Sequence, residues 1–138
     1  MFFSILKGIG KDMEQININF STHFKKMWFN CGLDEMDLAD LEKNIIEFEH
    51  WRESKDQVLG DLIAGTGGAI KLRFTSSKSK KGKSGSERAI YCAFDVNGNI
   101  REYNFILCYA KNSKETLTSK EKKALKNVVK ELKKNRPN

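Results

Sequence analysis

The feature that most constrains the fold is a pair of strand-like runs, Ala89-Ile-Tyr-Cys-Ala-Phe-Asp-Val96 and Ile100-Arg-Glu-Tyr-Asn-Phe-Ile-Leu-Cys-Tyr109, separated by Asn97-Gly98. Both runs are rich in aromatic and β-branched residues, and Asn-Gly puts residues that accept positive φ where a tight turn needs them. A β-hairpin is therefore expected. With its turn centred on Asn97-Gly98, Arg88 should face Leu107 and Ala89 should face Ile106. Strand alternation then puts Arg88 on the same face as Tyr109 and Lys111, at the end far from the turn, and Tyr91 on the opposite face.

The remaining elements follow from hydrophobic period. Ile16, Ile18 and Phe20 alternate with Asn17 and Asn19, which predicts a short half-buried strand. Phe20, Phe24, Met27 and Cys31 fall at helical spacing before Gly32, so a helix is expected from about Thr22 to Cys31. Leu38, Leu41, Ile45 and Phe48 line a second helix whose acids, between Asp37 and Glu49, are expected to form a solvated outer face. Gly60, Gly65, Gly67 and Gly68 interrupt the chain, and Gly65-Thr-Gly-Gly68 reads as a tight turn. Ile70-Lys71-Leu72-Arg73-Phe74 then alternates apolar with basic, a strand with one buried and one cationic face.

A Lys/Ser/Gly loop over residues 76–86 leads into the hairpin, and Thr118-Ser-Lys-Glu121 forms a capping box. Ala124, Leu125, Val128, Val129 and Leu132 give the helix after it an apolar stripe. The predicted order is β-α-α-β-β-β-α: an α+β domain in which an antiparallel or mixed sheet packs with two N-terminal helices and a C-terminal helix. The 138 residues suit one core, assigned to residues 16–138, with residues 1–15 as an N-terminal extension of no clear period.

Charge is segregated along the chain. Residues 34–61 hold ten acids and three bases; residues 69–91 hold seven bases and one acid; residues 111–138 hold ten bases and three acids. A polyanionic partner is favoured by this balance. Cys31, Cys92 and Cys108 form no CxxC pair and leave an odd thiol in any disulfide scheme, so reduced cytoplasmic cysteines are expected. Membrane spans and a signal peptide are not expected, because no apolar run approaches the required length.

Several motifs fail on inspection. Gly82-Lys83-Ser84 resembles the end of a phosphate-binding loop, but Ser77 stands where its first glycine belongs and a strand follows. His23 and His50 lie in helical segments away from the basic strands, so neither a zinc site nor a paired-histidine nuclease is supported, and no metal or cofactor is expected. If Lys71 and Arg73 share a face with Arg88, they meet Tyr109 and Lys111 on a small patch beside the loop carrying Lys78, Lys80, Lys81 and Lys83. Lys and Arg neutralise phosphates, and Tyr stacks on unpaired bases, so the patch suits RNA. RNA can be cleaved there by its own 2′-OH if a lysine acts as base and arginine stabilises the phosphorane. On composition and spacing alone, binding ranks ahead of catalysis.

The segments Gly60-Asp-Leu-Ile-Ala-Gly-Thr-Gly-Gly68, Lys71-Leu72-Arg73, Gly82-Lys-Ser-Gly85, Arg88-Ala-Ile-Tyr91, Tyr109-Ala-Lys-Asn112 and Leu117-Thr-Ser-Lys-Glu121 occur in an order that resembles the HigB-like branch of the RelE/ParE toxins of type II toxin–antitoxin modules. The resemblance spans about Ile16 to Leu132 and is concentrated after Gly60. It implies a RelE-like fold and a metal-independent endoribonuclease that cuts mRNA on the ribosome. It further implies a helix-turn-helix antitoxin of the HigA type as partner. By position, Lys71 and Arg73 would be base and phosphate clamp, and Arg88 would stabilise the phosphorane. Tyr109 and Lys111 would flank the substrate, and Lys80, Lys81 and Lys83 would grip RNA. Ile70 departs from the pattern, where a basic residue is common. A ParE-like gyrase poison and a non-catalytic nucleic-acid-binding module are the alternative expectations.

Overall fold

Alternation along paired strands sorts the side chains onto two faces, one apolar and one largely cationic at one end. In the computed structural model the described residues are 2–7, 14–54, 56–76, 87–97, 100–111 and 116–134. They form β1 (Phe2–Lys7), β2 (Glu14–Phe20), α1 (Thr22–Asn30), α2 (Glu35–Trp51), β3 (Asp61–Leu62), β4 (Ile70–Phe74), β5 (Glu87–Asn97), β6 (Ile100–Ala110) and α3 (Ser119–Lys134). The six strands make one mixed sheet of order β1-β2-β6-β5-β4-β3, in which only β2 and β6 run parallel. The α+β class stands. Two strands join the expected order: β1, from the segment of no clear period, pairs antiparallel with β2, and the two-residue β3 pairs with β4.

One sheet face carries Ile16, Ile18, Phe20, Ile70, Phe74, Tyr91, Tyr103, Phe105 and Cys108, and α1 and α2 close over it with Phe24, Trp28, Leu38, Leu41 and Ile45. The core is held by aromatic contact. Phe105 packs against Phe20 at 5.2 Å, Phe24 at 5.3 Å and Tyr91 at 4.9 Å, and Trp28 meets Phe74 at 5.1 Å. Ser21 caps α1 by accepting from the Phe24 amide, and the Trp28 indole donates to the Asp34 carbonyl at 3.0 Å. The other face is covered in its centre by α3, whose Leu125 and Val129 pack on Ile90, Cys92, Ala69 and Leu117. The predicted capping box starts α3: Thr118 and Glu121 each accept from the other's amide. Within the predicted stripe, Ala124 and Val128 are exposed, so the helix is buried along a narrower line than its sequence suggests.

The hairpin forms with a shifted register. The last pair at the turn is Asn97 with Ile100, so Gly98 and Asn99, which lie outside the described residues, make the connection. Arg88 faces Tyr109 rather than Leu107, and Ala89 faces Cys108 rather than Ile106. The register breaks twice, between Asp95 and Asn97 and between Ile90 and Tyr91, where β5 and then β6 each insert one extra residue. The net displacement from the expected pairing is two residues, which preserves alternation, so Arg88 and Tyr109 still share a face.

The expected solvated acidic face of α2 is contradicted at both ends. Asp37 is buried because it completes the capping box with Asp34 and also accepts from the Ser76 hydroxyl at 2.8 Å. Glu49, 0% exposed, is surrounded by Arg101 Nε at 2.9 Å, Arg52 Nε at 3.0 Å and the Tyr103 hydroxyl, which donates a short hydrogen bond to it. Arg101 also reaches Asp95 at 2.9 Å. Burial alone would lower the Arg101 pKa, but the Glu49 carboxylate, Tyr103 and Asp95 raise it overall. Burial, reinforced by the Glu49 charge, pushes the Tyr103 phenol up.

Thr66 closes the glycine-rich turn. Its hydroxyl donates to the Ile63 carbonyl at 2.7 Å and accepts from the Ala69 amide, while the Ile63 amide donates to the Ala69 carbonyl. Upstream, Gly60 adopts φ +118°, and a Cβ there would run into the carbonyl oxygen of Lys71. Gly60→Ala should lower stability by about 1–3 kcal/mol, seen as a lower urea midpoint at unchanged slope. Arg101→Met should cost more, about 3–5 kcal/mol, because it leaves the Glu49 charge buried with one partner fewer.

Candidate nucleic-acid interface

The cationic site is built by register. Arg73 on β4 stands directly opposite Arg88 on β5, which stands directly opposite Tyr109 on β6. Directly opposed residues place their side chains on the same face at Cα separations of about 4.5–5.5 Å. Lys71 occupies the same face one alternation along, between Asp61 on β3 and Ile90 on β5. Lys111 follows β6 in a turn immediately beyond the row. Lys71, Arg73, Arg88 and Tyr109 thus share one face at one end of the sheet, with Tyr109 in the cluster that α3 covers, and Lys111 follows just beyond in sequence.

The five residues are not equally available. Arg73 is exposed, and Lys71 and Lys111 are partly so, whereas Arg88 is only 4% and Tyr109 8% exposed. Arg88 is thus almost wholly covered and does not present an open guanidinium. It stands on a central strand, with β4 on one side and β6 on the other. Ile70 also finds its explanation. It is 3% exposed and pairs with Tyr91 on the apolar face, so a cation at this position would enter the core and not the patch. Tyr91 lies on the apolar face as expected, its hydroxyl donating to the Leu59 carbonyl at 2.7 Å. Lys80, Lys81 and Lys83, together with Lys78, lie outside the described residues.

Directly opposed like charges weaken a sheet pair, by roughly 0.2–1 kcal/mol. The Arg73–Arg88 pair sets two cations opposite each other at one end of the sheet. Next to it is a cleft of about 200 Å³, lined by Lys71, Tyr109, Asp61, Leu62, Ile63, Ala64, Thr116, Leu117 and Lys122. Sequence reasoning missed Asp61, Thr116 and Lys122. Asp61 was hidden because a two-residue strand has no period. Thr116 and Lys122 flank the capping box, which told where α3 begins but not which part of the sheet that beginning approaches.

A larger and more apolar cleft, about 560 Å³, lies elsewhere, between α3, the end of β2, the start of α1 and the middle of β6, and contains none of the cationic residues. His23 lines that cleft and His50 is exposed at the end of α2, so neither joins the patch. Among the described residues, no group of three or more His, Cys, Asp or Glu is placed to hold a metal ion. No described helix is long and apolar enough to cross a membrane. The chain matches no model of a known protein family.

Because Arg73 is exposed and opposed by a like charge, Arg73→Ala should leave stability unchanged or slightly higher while weakening RNA binding. Removing one phosphate-neutralising cation should flatten the dependence of log affinity on log salt by about 0.7–0.9. Filter binding of single-stranded RNA over a salt series, beside a urea melt, reads both quantities.

Proposed function

We propose that this protein is the toxin of a type II toxin–antitoxin system, a metal-independent endoribonuclease that cuts mRNA on the ribosome and so stops translation. The observation that carries the reading is the gathering of Lys71, Arg73, Arg88 and Tyr109 from β4, β5 and β6 onto one face, with two arginines opposed in register and Lys111 next in sequence after β6. The resemblance in motif order to the HigB-like branch of the RelE/ParE toxins supports it. A helix-turn-helix antitoxin of the HigA type and the ribosome with its mRNA are the proposed partners, met in the cytoplasm.

The chemistry needs no imidazole. Lys71, partly exposed beside the cleft, takes the proton from the RNA 2′-OH. The 2′-oxygen bonds to phosphorus, the bond from phosphorus to the 5′-oxygen breaks, and that oxygen takes a proton from solvent water as it leaves. A 2′,3′-cyclic phosphate and a 5′-hydroxyl result. Arg73 grips the phosphate, while Arg88 beneath it and Lys111 beside it stabilise the phosphorane charge; loss of one such donor typically reduces the rate ~10²–10³-fold. Tyr109 flanks the nucleotide.

Near-complete burial of Arg88 favours a second reading, in which the same surface only binds nucleic acid. Induced expression in bacteria separates the readings. The proposal expects translation arrest, mRNA cut within codons only when ribosomes are present, and loss of both in the Lys71→Ala, Arg73→Ala double variant. Intact messages with salt-sensitive RNA binding would favour the binding module. An SOS response with intact messages would instead point to gyrase poisoning. Toxicity unchanged in the double variant would overturn the site assignment.

A further inference from the structure

We infer that the cleft beside Lys71 holds a single guanine base, and that Asp61 is the residue that selects it. The inference rests on reading the cationic face as an RNA surface, and it adds a base-specific subsite to it. The cleft measures about 200 Å³, smaller than the ~300–1,000 Å³ of drug-sized sites, so it suits one base rather than a dinucleotide. Ile63 and Leu117 give it apolar walls for a flat ring, and Tyr109 borders it from the cationic row. Lys71 and, from α3, Lys122 add positive charge for the phosphates that come with the base.

Asp61 is an unusual component of a cationic cleft. It is exposed and stands opposite Lys71 in the β3–β4 register, yet among the described residues no ion pair joins the two. Its oxygens therefore remain able to accept hydrogen bonds from a ligand. An ionised carboxylate only accepts, and it does so best from two adjacent donors. Guanine alone among the four RNA bases offers such a pair, N1–H beside the N2 amino group. Adenine and cytosine each present a donor beside an acceptor, and uracil presents one donor between two acceptors. Against those three bases the carboxylate faces at least one lone pair, so rejection accompanies recognition.

The test titrates the full-length protein with GMP, AMP, CMP and UMP and follows backbone amide resonances. GMP should bind tightest, by roughly tenfold or more, and should shift the resonances of Asp61, Lys71, Tyr109 and Lys122. Asp61→Asn, nearly isosteric and exposed, replaces two acceptors by an acceptor beside a donor, which matches the N1/N6 edge of adenine. Its preference should move from GMP to AMP. Equal binding of all four nucleotides, shifts confined to other regions, or a GMP preference that survives Asp61→Asn would each overturn the inference. Cleavage mapping keeps this apart from the proposed function. Messages cut without regard to guanine, with no GMP preference, would end the guanine subsite and leave the nuclease standing; a GMP preference with uncut messages would do the reverse.

Discussion

Everything at the cationic end depends on the double pairing of β5. Because β4 and β6 both pair with it in one register, Arg73, Arg88 and Tyr109 are forced into a row across three strands. A slip of one residue would turn Arg88 toward the aromatic core and would turn Ala89 outward. The core forbids the slip, since Tyr91 stacks on both Tyr103 and Phe105, and Phe105 in turn packs against Phe20 and Phe24 on the same side. Apolar packing on one face thereby holds an electrostatically unfavourable pair on the other.

The two long strands also divide the molecule lengthwise. At the end toward the turn, Arg101 and Tyr103 are bonded to Glu49 of α2, and Asp95 completes the network. At the far end, the same strands carry Arg88 and Tyr109, and the approach to β4 is fixed by Gly60 under the Lys71 carbonyl and by the Thr66-closed turn before Ile70. Charge is balanced where it is structural and in positive excess where a polyanion is expected to bind. Cys31 and Cys108, whose sulfurs lie 3.9 Å apart, belong to the structural side of that division: both are free thiols at the apolar face, and burial raises the pKa of each.

Much of the fold was legible because its signals are local. Alternation marked β2 and β4, helical spacing marked α1, α2 and α3, and the Thr118–Glu121 box marked the start of the last helix. The strand β1 was not legible, because Phe2–Lys7 runs without alternation and is ordered only by its antiparallel neighbour. Bulges at Ile106 and near Val96 leave no mark in composition, which is why sequence misplaces the pairing partners while keeping the faces right. Burial of Glu49 and Asp37 was equally hidden: the partners that make a buried carboxylate tolerable, Arg101 and Ser76, are 52 and 39 positions away. The candidate site divides the same way. Shared facing of Lys71, Arg73, Arg88 and Tyr109 follows from period two, whereas the burial of Arg88 and the arrival of Lys122 beside the cleft come from tertiary packing that no local period records.

Glu49 has a consequence for how the molecule comes apart. Its carboxylate joins a helix to the middle of the sheet through donors from both, so prising α2 away would strand an ion in apolar surroundings. Partial opening of that layer is thus disfavoured relative to complete unfolding, and the amides of β6 should exchange with solvent only when the whole domain melts.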